Sequence, residues 1–163
     1  MSKISFSYKP EPRGWNSAAI SDGEQELILD ASWLSDALRD LTGAVASLLE
    51  SADSVVFSWQ STPGSWRWIL TKENEKLRIQ ILHFERDFSK LEDSKGEPVF
   101  SAETDVMRFA IVVRGQLRQI LNDVGLVTYK EMTTYDFPFS AYERLDAAIE
   151  ARKAQSKAGH FSS

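Results

Sequence analysis

The chain has 163 residues, 42% hydrophobic and 26% charged, ordinary values for one globular domain with a substantial core, and its formal net charge is −5. It has no cysteine and only two histidines, His83 and His160, which excludes disulfides, thiol nucleophiles, cysteine-ligated zinc and iron–sulfur clusters and argues against a two-histidine metal site; no cofactor is expected. The longest uncharged run, Ser54 to Trp66, is thirteen residues against the about 20 a membrane span needs, and MSKISFSYKPEPR lacks the apolar stretch of a secretory signal, so the sequence predicts a cytoplasmic protein.

The charge is unevenly spread. Residues 1–53 hold four basic and nine acidic side chains and so carry the whole excess, while residues 54–163 hold fifteen of each. A basic stripe, the usual footprint of nucleic-acid binding, is missing, and no nucleic-acid partner is expected.

In chain order, KISFSYK predicts a first strand. RGWNSAAIS and EQELILDAS predict two more, joined through Asp22-Gly23, a dipeptide that tolerates the positive φ of hairpin turns. In the third, Leu27 and Leu29 alternate with Glu24, Glu26 and Asp30, giving a dry and an acidic face on which Ile28 is the exception. Ser32 is placed to cap a helix from Trp33 to Glu50 whose Leu34, Leu38, Leu41, Val45 and Leu48 form an apolar stripe; Gly43 within it costs about 1 kcal/mol relative to alanine.

Three strands follow, Val55–Gln60, Ser65–Lys72 and Leu77–Phe84, and their parities test one another. A loop at Ser61–Gly64 pairs Trp59 with Trp66, Phe57 with Trp68 and Val55 with Leu70. A four-residue loop at Glu73–Lys76 then pairs Leu70 with Ile79, Trp68 with Ile81 and Trp66 with His83. Every large apolar side chain then falls on one face. Residues 85–103 read as a charged connection holding at most a ragged edge hairpin. Thr104 opens a second helix with the stripe Val106, Phe109, Val113, Leu117, Ile120 and Val124, ended by a left-handed Gly125. Val127–Met132 reads as a short strand, and Ser140 with Glu143 as a capping box for a last helix through about Lys153.

The expected fold is therefore α+β: an antiparallel sheet of five to seven strands with two main amphipathic helices packed on one face and a further C-terminal helix. It spans a single domain, residues 1–155, with 156–163 a disordered tail. On this reading the tryptophan rings face inward beneath the helices, because an exposed platform of that size is a solubility liability. Arg67, between Trp66 and Trp68 on the opposite parity, reads as a solvated sheet residue.

No catalytic signature stands out: GxSxG, HExxH, Walker, GxGxxG and EF-hand patterns are all absent. The most unusual feature is acidic: Glu24, Glu26 and Asp30 on the third strand, with Asp36 and Asp40 on the polar side of the first helix. They read either as solvated faces or as a surface for a cationic protein, reached faster at low salt. A second reading is a small-molecule or carbohydrate pocket bounded by Trp59, Trp66 and His83. A third is an enzyme using His83 with nearby carboxylates.

The stretch GWNSAAISDGEQELILDASWLSDALRDLTGAVASLL, followed by Trp59, Pro63-Gly64 and WRWIL, resembles a family of small uncharacterised bacterial single-domain proteins over most of residues 14–125. The shared positions are the G-W start, the D-G turn, the S-x-L-S-D-A-L helix entry and the spaced tryptophans. They determine fold, and the resemblance implies no activity or functional residue. Size, acidity and the lack of a catalytic set are also similar to immunity proteins that neutralise toxins. The first reading is accordingly a non-catalytic binding protein of immunity or antitoxin type, with a toxin as one such cationic partner.

Overall fold

The computed structural model describes residues 3–86 and 91–161. Seven strands and four helices follow in the order β1 (Ser5–Pro10), β2 (Asn16–Ser21), β3 (Glu26–Ala31), α1 (Ala37–Glu50), β4 (Ser54–Ser61), β5 (Gly64–Glu73), β6 (Lys76–Phe84), β7 (Glu97–Asp105), α2 (Val106–Asp123), α3 (Leu126–Thr133) and α4 (Phe139–Phe161). The α+β class is as expected, but the strands form two antiparallel sheets, β1-β2-β3 and β4-β5-β6-β7, instead of one.

Side-chain parity fixes the larger sheet. Trp59 pairs with Trp66, Phe57 with Trp68 and Val55 with Leu70; across β5 and β6, Leu70 pairs with Ile79, Trp68 with Ile81 and Trp66 with His83, the expected register throughout. Trp59, Trp68, Leu70, Leu77, Ile79 and Ile81 are fully buried on the shared face. Trp68 stacks on Phe57 at 5.6 Å between ring centroids and lies 4.9 Å from Trp59.

The expected cover for this face was helical, and the structure adds the smaller sheet. Phe6 meets Trp68 edge-on at 6.3 Å and Tyr8 meets Trp59 at 5.8 Å, so alternate residues of β1 point into the same core. Two sheets facing each other across the aromatic cluster bury it from both sides. Helices α1 and α2 fill the remaining space through Leu38, Leu41, Val45 and Leu48, and through Val106, Phe109, Val113, Leu117 and Ile120.

Long cationic side chains tie the helices down. Lys72 donates to the Leu48 carbonyl (2.6 Å) and Arg152 to the Leu49 carbonyl (3.2 Å), satisfying the C-terminal end of α1 where no intrahelical donor exists. Arg114 of α2 is buried and donates to Asp146 (2.9 Å) and Glu150 (2.7 Å) of α4.

Several sequence expectations are corrected. The first helix starts at Ala37, so Leu34 lies outside its stripe and Ser32 does not cap it. The charged stretch before Thr104 holds most of the nine-residue β7, which runs on through Thr104 to Asp105; its Phe100, Ala102 and Thr104 point inward while Glu97, Ser101 and Glu103 point out. The stretch was misread because only Phe100 is a large apolar residue; residues 87–90 of the same connection lie outside the described ones. Asp105, one residue beyond Thr104, caps α2 by accepting from the Met107 and Arg108 amides.

Residues 127–132 are helical, not a strand: Tyr129 and Thr133, four apart, are the buried positions of α3. Gly125 does adopt positive φ (82°), but its ψ of 166° is extended, and it links α2 directly to α3. Helix α4 begins at Phe139, which puts Ser140 inside the helix, and continues past Lys153 to Phe161. Arg67 is buried, not solvated. Its guanidinium lies 4.3 Å from the Phe84 ring centroid and donates to the Leu91 carbonyl and the Asp93 carboxylate, both at 2.8 Å.

Trp59 and Trp68 differ in one respect that can be measured. Trp59 Nε1 donates to the Ala37 carbonyl at 3.0 Å, whereas Trp68 Nε1 has no partner among the described residues. Replacing either by phenylalanine removes the same volume, but Trp59→Phe also breaks a buried hydrogen bond and Trp68→Phe removes an unsatisfied donor. Urea denaturation should therefore show Trp59→Phe less stable than Trp68→Phe by about 1–3 kcal/mol.

Candidate functional site

The connection from β3 to α1 is held against the end of β4 by its own polar groups. The Ser32 amide donates to the Gln60 carbonyl (2.6 Å), the Gln60 amide donates to Ser35 Oγ (3.0 Å), and Thr62 Oγ1 donates to Ser32 Oγ (3.3 Å). Fixing Ser32 inward turns the next two residues outward. Trp33 is 53% and Leu34 50% exposed. Behind Trp33 the chain needs a glycine: Gly14 has φ +80°, and a Cβ there would stand 2.8 Å from Trp33 Cβ. From the other side Tyr135 Oη donates to the Trp33 carbonyl at 2.7 Å.

Asp36 then occupies the N-cap position of α1, and Asp40 lies one turn on. Both carboxyls are raised above their ordinary range. For Asp36, burial dominates, the Arg39 amide opposes it, and the Asp40 charge adds to it. For Asp40, burial again dominates and the Arg39 charge opposes it. Among the described residues neither carboxylate forms an ion pair. The hydroxyls of Tyr8, Tyr129 and Tyr135 are raised as well, chiefly by burial, and the Asp36 charge contributes to all three.

Two hollows open beside these residues. One of 410 Å³ is lined by Asp36, Arg39, Tyr135, Asp136 and residues 137–141; another of 460 Å³ runs between α1, α4 and β4. They share Arg39, Ser140 and Ala141 in their linings and so lie side by side.

The sequence-predicted acidic residues divide into three settings. Glu24 and Glu26 are exposed at the start of β3, after a turn organised by Asp22, which accepts the Glu24 and Gln25 amides and is lowered by those bonds. Asp30, four residues along a strand rising about 3.3 Å per residue, is some ~13 Å from Glu26 and is engaged internally. It accepts from Ser61 and from Trp66 Nε1. Asp36 and Asp40 lie beyond the far end of β3, and only they border the hollows. Of the alternative pocket residues, Trp66 and His83 are half-buried with ring centroids 4.6 Å apart, while Trp59 is enclosed by Tyr8, Trp68 and α1. Sequence reasoning placed Trp33 and Leu34 at the start of a buried helical stripe and missed their exposure; the Ser-x-x-Ser spacing of Ser32 and Ser35 was the available signal.

No family model matches the chain, and no curated protein matches it. One solved structure with a similar fold is the CdiA-CT/CdiI toxin and immunity complex from Enterobacter cloacae, at 14% identity and a TM-score of 0.46, covering 71% of this chain and 99% of that chain. A likeness at that level carries no functional argument. No helix among the described residues is long and apolar enough to cross a membrane.

The raised Asp36 carboxyl has a definite consequence for stability. A carboxyl whose folded pKa exceeds its unfolded one makes the native state bind more protons in the interval between them, so stability falls as pH rises from 3.8 toward the raised value. Asp36→Asn should raise the urea midpoint at about pH 7, and the gain should vanish near pH 3, where both chains are neutral at this position. A midpoint that falls at neutral pH would show that the charge stabilises the fold.

Proposed function

We propose that this chain is a non-catalytic, cytoplasmic binding protein of immunity or antitoxin type, which covers a cationic surface of a partner protein with the region from Trp33 to Asp40. The observation that carries this reading is the juxtaposition of two outward-facing apolar side chains with two half-buried carboxylates that have no ion-pair partner among the described residues. Aromatic anchors flanked by groups able to pair on contact are what tight protein interfaces use, and an exposed tryptophan is otherwise costly to keep in water.

The electrostatics favour a basic partner. Asp36 and Asp40 are already part-desolvated in the free chain, so a lysine or arginine entering either hollow recovers Coulomb energy without removing the carboxylates from bulk water at that moment. Asp136 adds a third carboxylate at the mouth, and Tyr135 offers a ring face for a guanidinium. Glu24 and Glu26 act at longer range, steering the approach.

The test starts by installing a photo-reactive residue in place of Leu34 and identifying the cross-linked partner by mass spectrometry. Association rates with that partner are then measured at low salt. Asp36→Asn combined with Asp40→Asn should slow association roughly tenfold with little change in fold. Trp33→Ala should raise the dissociation rate by about tenfold or more, as loss of an interface anchor does. If both rates stay at their original values, this region is not the contact surface.

A further inference from the structure

Trp33 is 53% exposed, yet its main chain and the root of its side chain are held from three directions. The residue before it is fixed by the bond from the Ser32 amide to the Gln60 carbonyl, at 2.6 Å. On one side lies Gly14, where a Cβ would stand 2.8 Å from Trp33 Cβ, 3.5 Å from Cγ and 3.6 Å from Cδ1. The indole therefore starts out against glycine backbone, in space that any other residue would fill. On another side Tyr135 Oη donates to the Trp33 carbonyl at 2.7 Å.

Both supports depend on left-handed backbone. Arg13 (φ 72°) and Gly14 (φ 80°) follow one another in that region, which disfavours the arginine, and the pair turns the chain so that Gly14 meets Trp33. Thr134 (φ 69°) ends α3 in the same way. Thr133, buried at that corner, donates from Oγ1 to the Tyr129 carbonyl (2.8 Å) and accepts the Tyr135 amide (3.2 Å), which sets the direction in which Tyr135 leaves the helix. α3 in turn packs on residues 12–14, so the glycine and the tyrosine share one support.

The segment that carries Trp33 belongs to no helix or strand. Connections of that kind are ordinarily the mobile parts of a fold. A side chain that is loose in the free protein loses its freedom on binding, and that ordering weakens affinity; one already fixed loses nothing further.

We infer that Gly14 and Tyr135 are positioning residues that hold Trp33 in one preformed orientation, so that a partner meets a rigid aromatic anchor. Both act through Trp33: Gly14 is buried, and the Tyr135 hydroxyl is engaged by the Trp33 carbonyl. This deepens the binding role proposed above and rests on it for the use to which the fixed indole is put.

The test uses the full chain labelled with 5-fluorotryptophan, whose five tryptophans give five fluorine resonances, each assigned by its loss in the corresponding phenylalanine variant. In the free chain the Trp33 resonance is expected to be as broad as those of the buried Trp59 and Trp68, the signature of an indole that does not move independently of the fold. Tyr135→Phe keeps the ring and removes only the hydroxyl. It should shift and sharpen the Trp33 resonance while those of Trp59 and Trp68 stay in place. Gly14→Ala should do the same, and if that chain fails to fold, Tyr135→Phe decides. A Trp33 line already sharp in the unmutated chain, or one unmoved by Tyr135→Phe, overturns the inference.

A thermodynamic cycle separates positioning from direct contact. With the partner captured through position 34, Tyr135→Phe should weaken binding roughly two- to tenfold, the cost of ordering one side chain, and the loss should disappear in a Trp33→Ala background. An equal loss in both backgrounds would show that the hydroxyl acts without Trp33, and it too overturns the inference. The fluorine spectra need no partner. A rigid Trp33 whose replacement leaves partner rates unchanged would therefore sink the binding role alone, and a mobile one in a chain that binds would sink the positioning alone.

Discussion

The alternation of β4 and β5 is the constraint on which the rest of the molecule depends. A strand exposes successive side chains to opposite faces, and in the same stroke it sends successive pairs of backbone groups to opposite edges. Odd-numbered positions from Val55 to Trp59 send their rings and branches to the core and their amides to β5. Even-numbered positions send their backbone outward. One register therefore decides both what is buried and what is left open at the edge, and a slip of one residue would exchange the two.

The core follows from the first half of that constraint. Two tryptophans in contact bring a large apolar area to the sheet, roughly 150–250 Å² each, and it is covered by more than the helices. The N-terminal strands supply the missing layer, with Phe6 and Tyr8 set edge-on against Trp68 and Trp59. Two sheets enclosing one aromatic cluster then require a connection that passes from β3 across the end of β4 before the chain can start α1. That crossing is where Ser32 and Ser35 bond to Gln60 and where Trp33 and Leu34 are turned toward water. The exposed pair is a by-product of closing the core, and it arrives beside Asp36 and Asp40 because the helix has to begin there.

How much of this was legible in the sequence depended on whether the signal was local. Strand register was legible because three hairpin-linked strands cross-check one another through the placement of Val55, Phe57, Trp59, Trp66, Trp68, Leu70, Ile79 and Ile81. The division into two sheets was not, since pairing between β3 and any other strand leaves no mark in either strand's own pattern. β7 was hidden because its outward positions are charged and its inward ones include alanine and threonine, so an edge strand protected against pairing looks like a loop. Residues 127–132 were misread for the opposite reason: Val127 is a good strand former, but the two positions that pack, Tyr129 and Thr133, are spaced for a helix. For the candidate site, the carboxylates were visible as charges and their part burial was not. The charge on Asp36 is coupled to Tyr8, Tyr129 and Asp136, all distant in sequence.

Arg67 shows why exposure cannot be read from parity alone. It stands on the sheet face away from the tryptophans, where alternation predicts water, yet Phe84 and the segment at Leu91–Asp93 enclose it. The outer face is thus divided along its length, covered where β5 and β6 carry Arg67, Leu82 and Phe84, and open at Val56 on β4. A chain that shields one part of a sheet face with its own connection, protects one edge with proline and charge, and leaves the opposite edge and its apolar neighbour uncovered has distributed its protection unevenly. The uncovered strip borders the hollow that holds Asp40. Main-chain donors and acceptors and apolar surface therefore lie side by side along the β4 edge, next to the mixed charges of Arg39, Asp40 and Arg144.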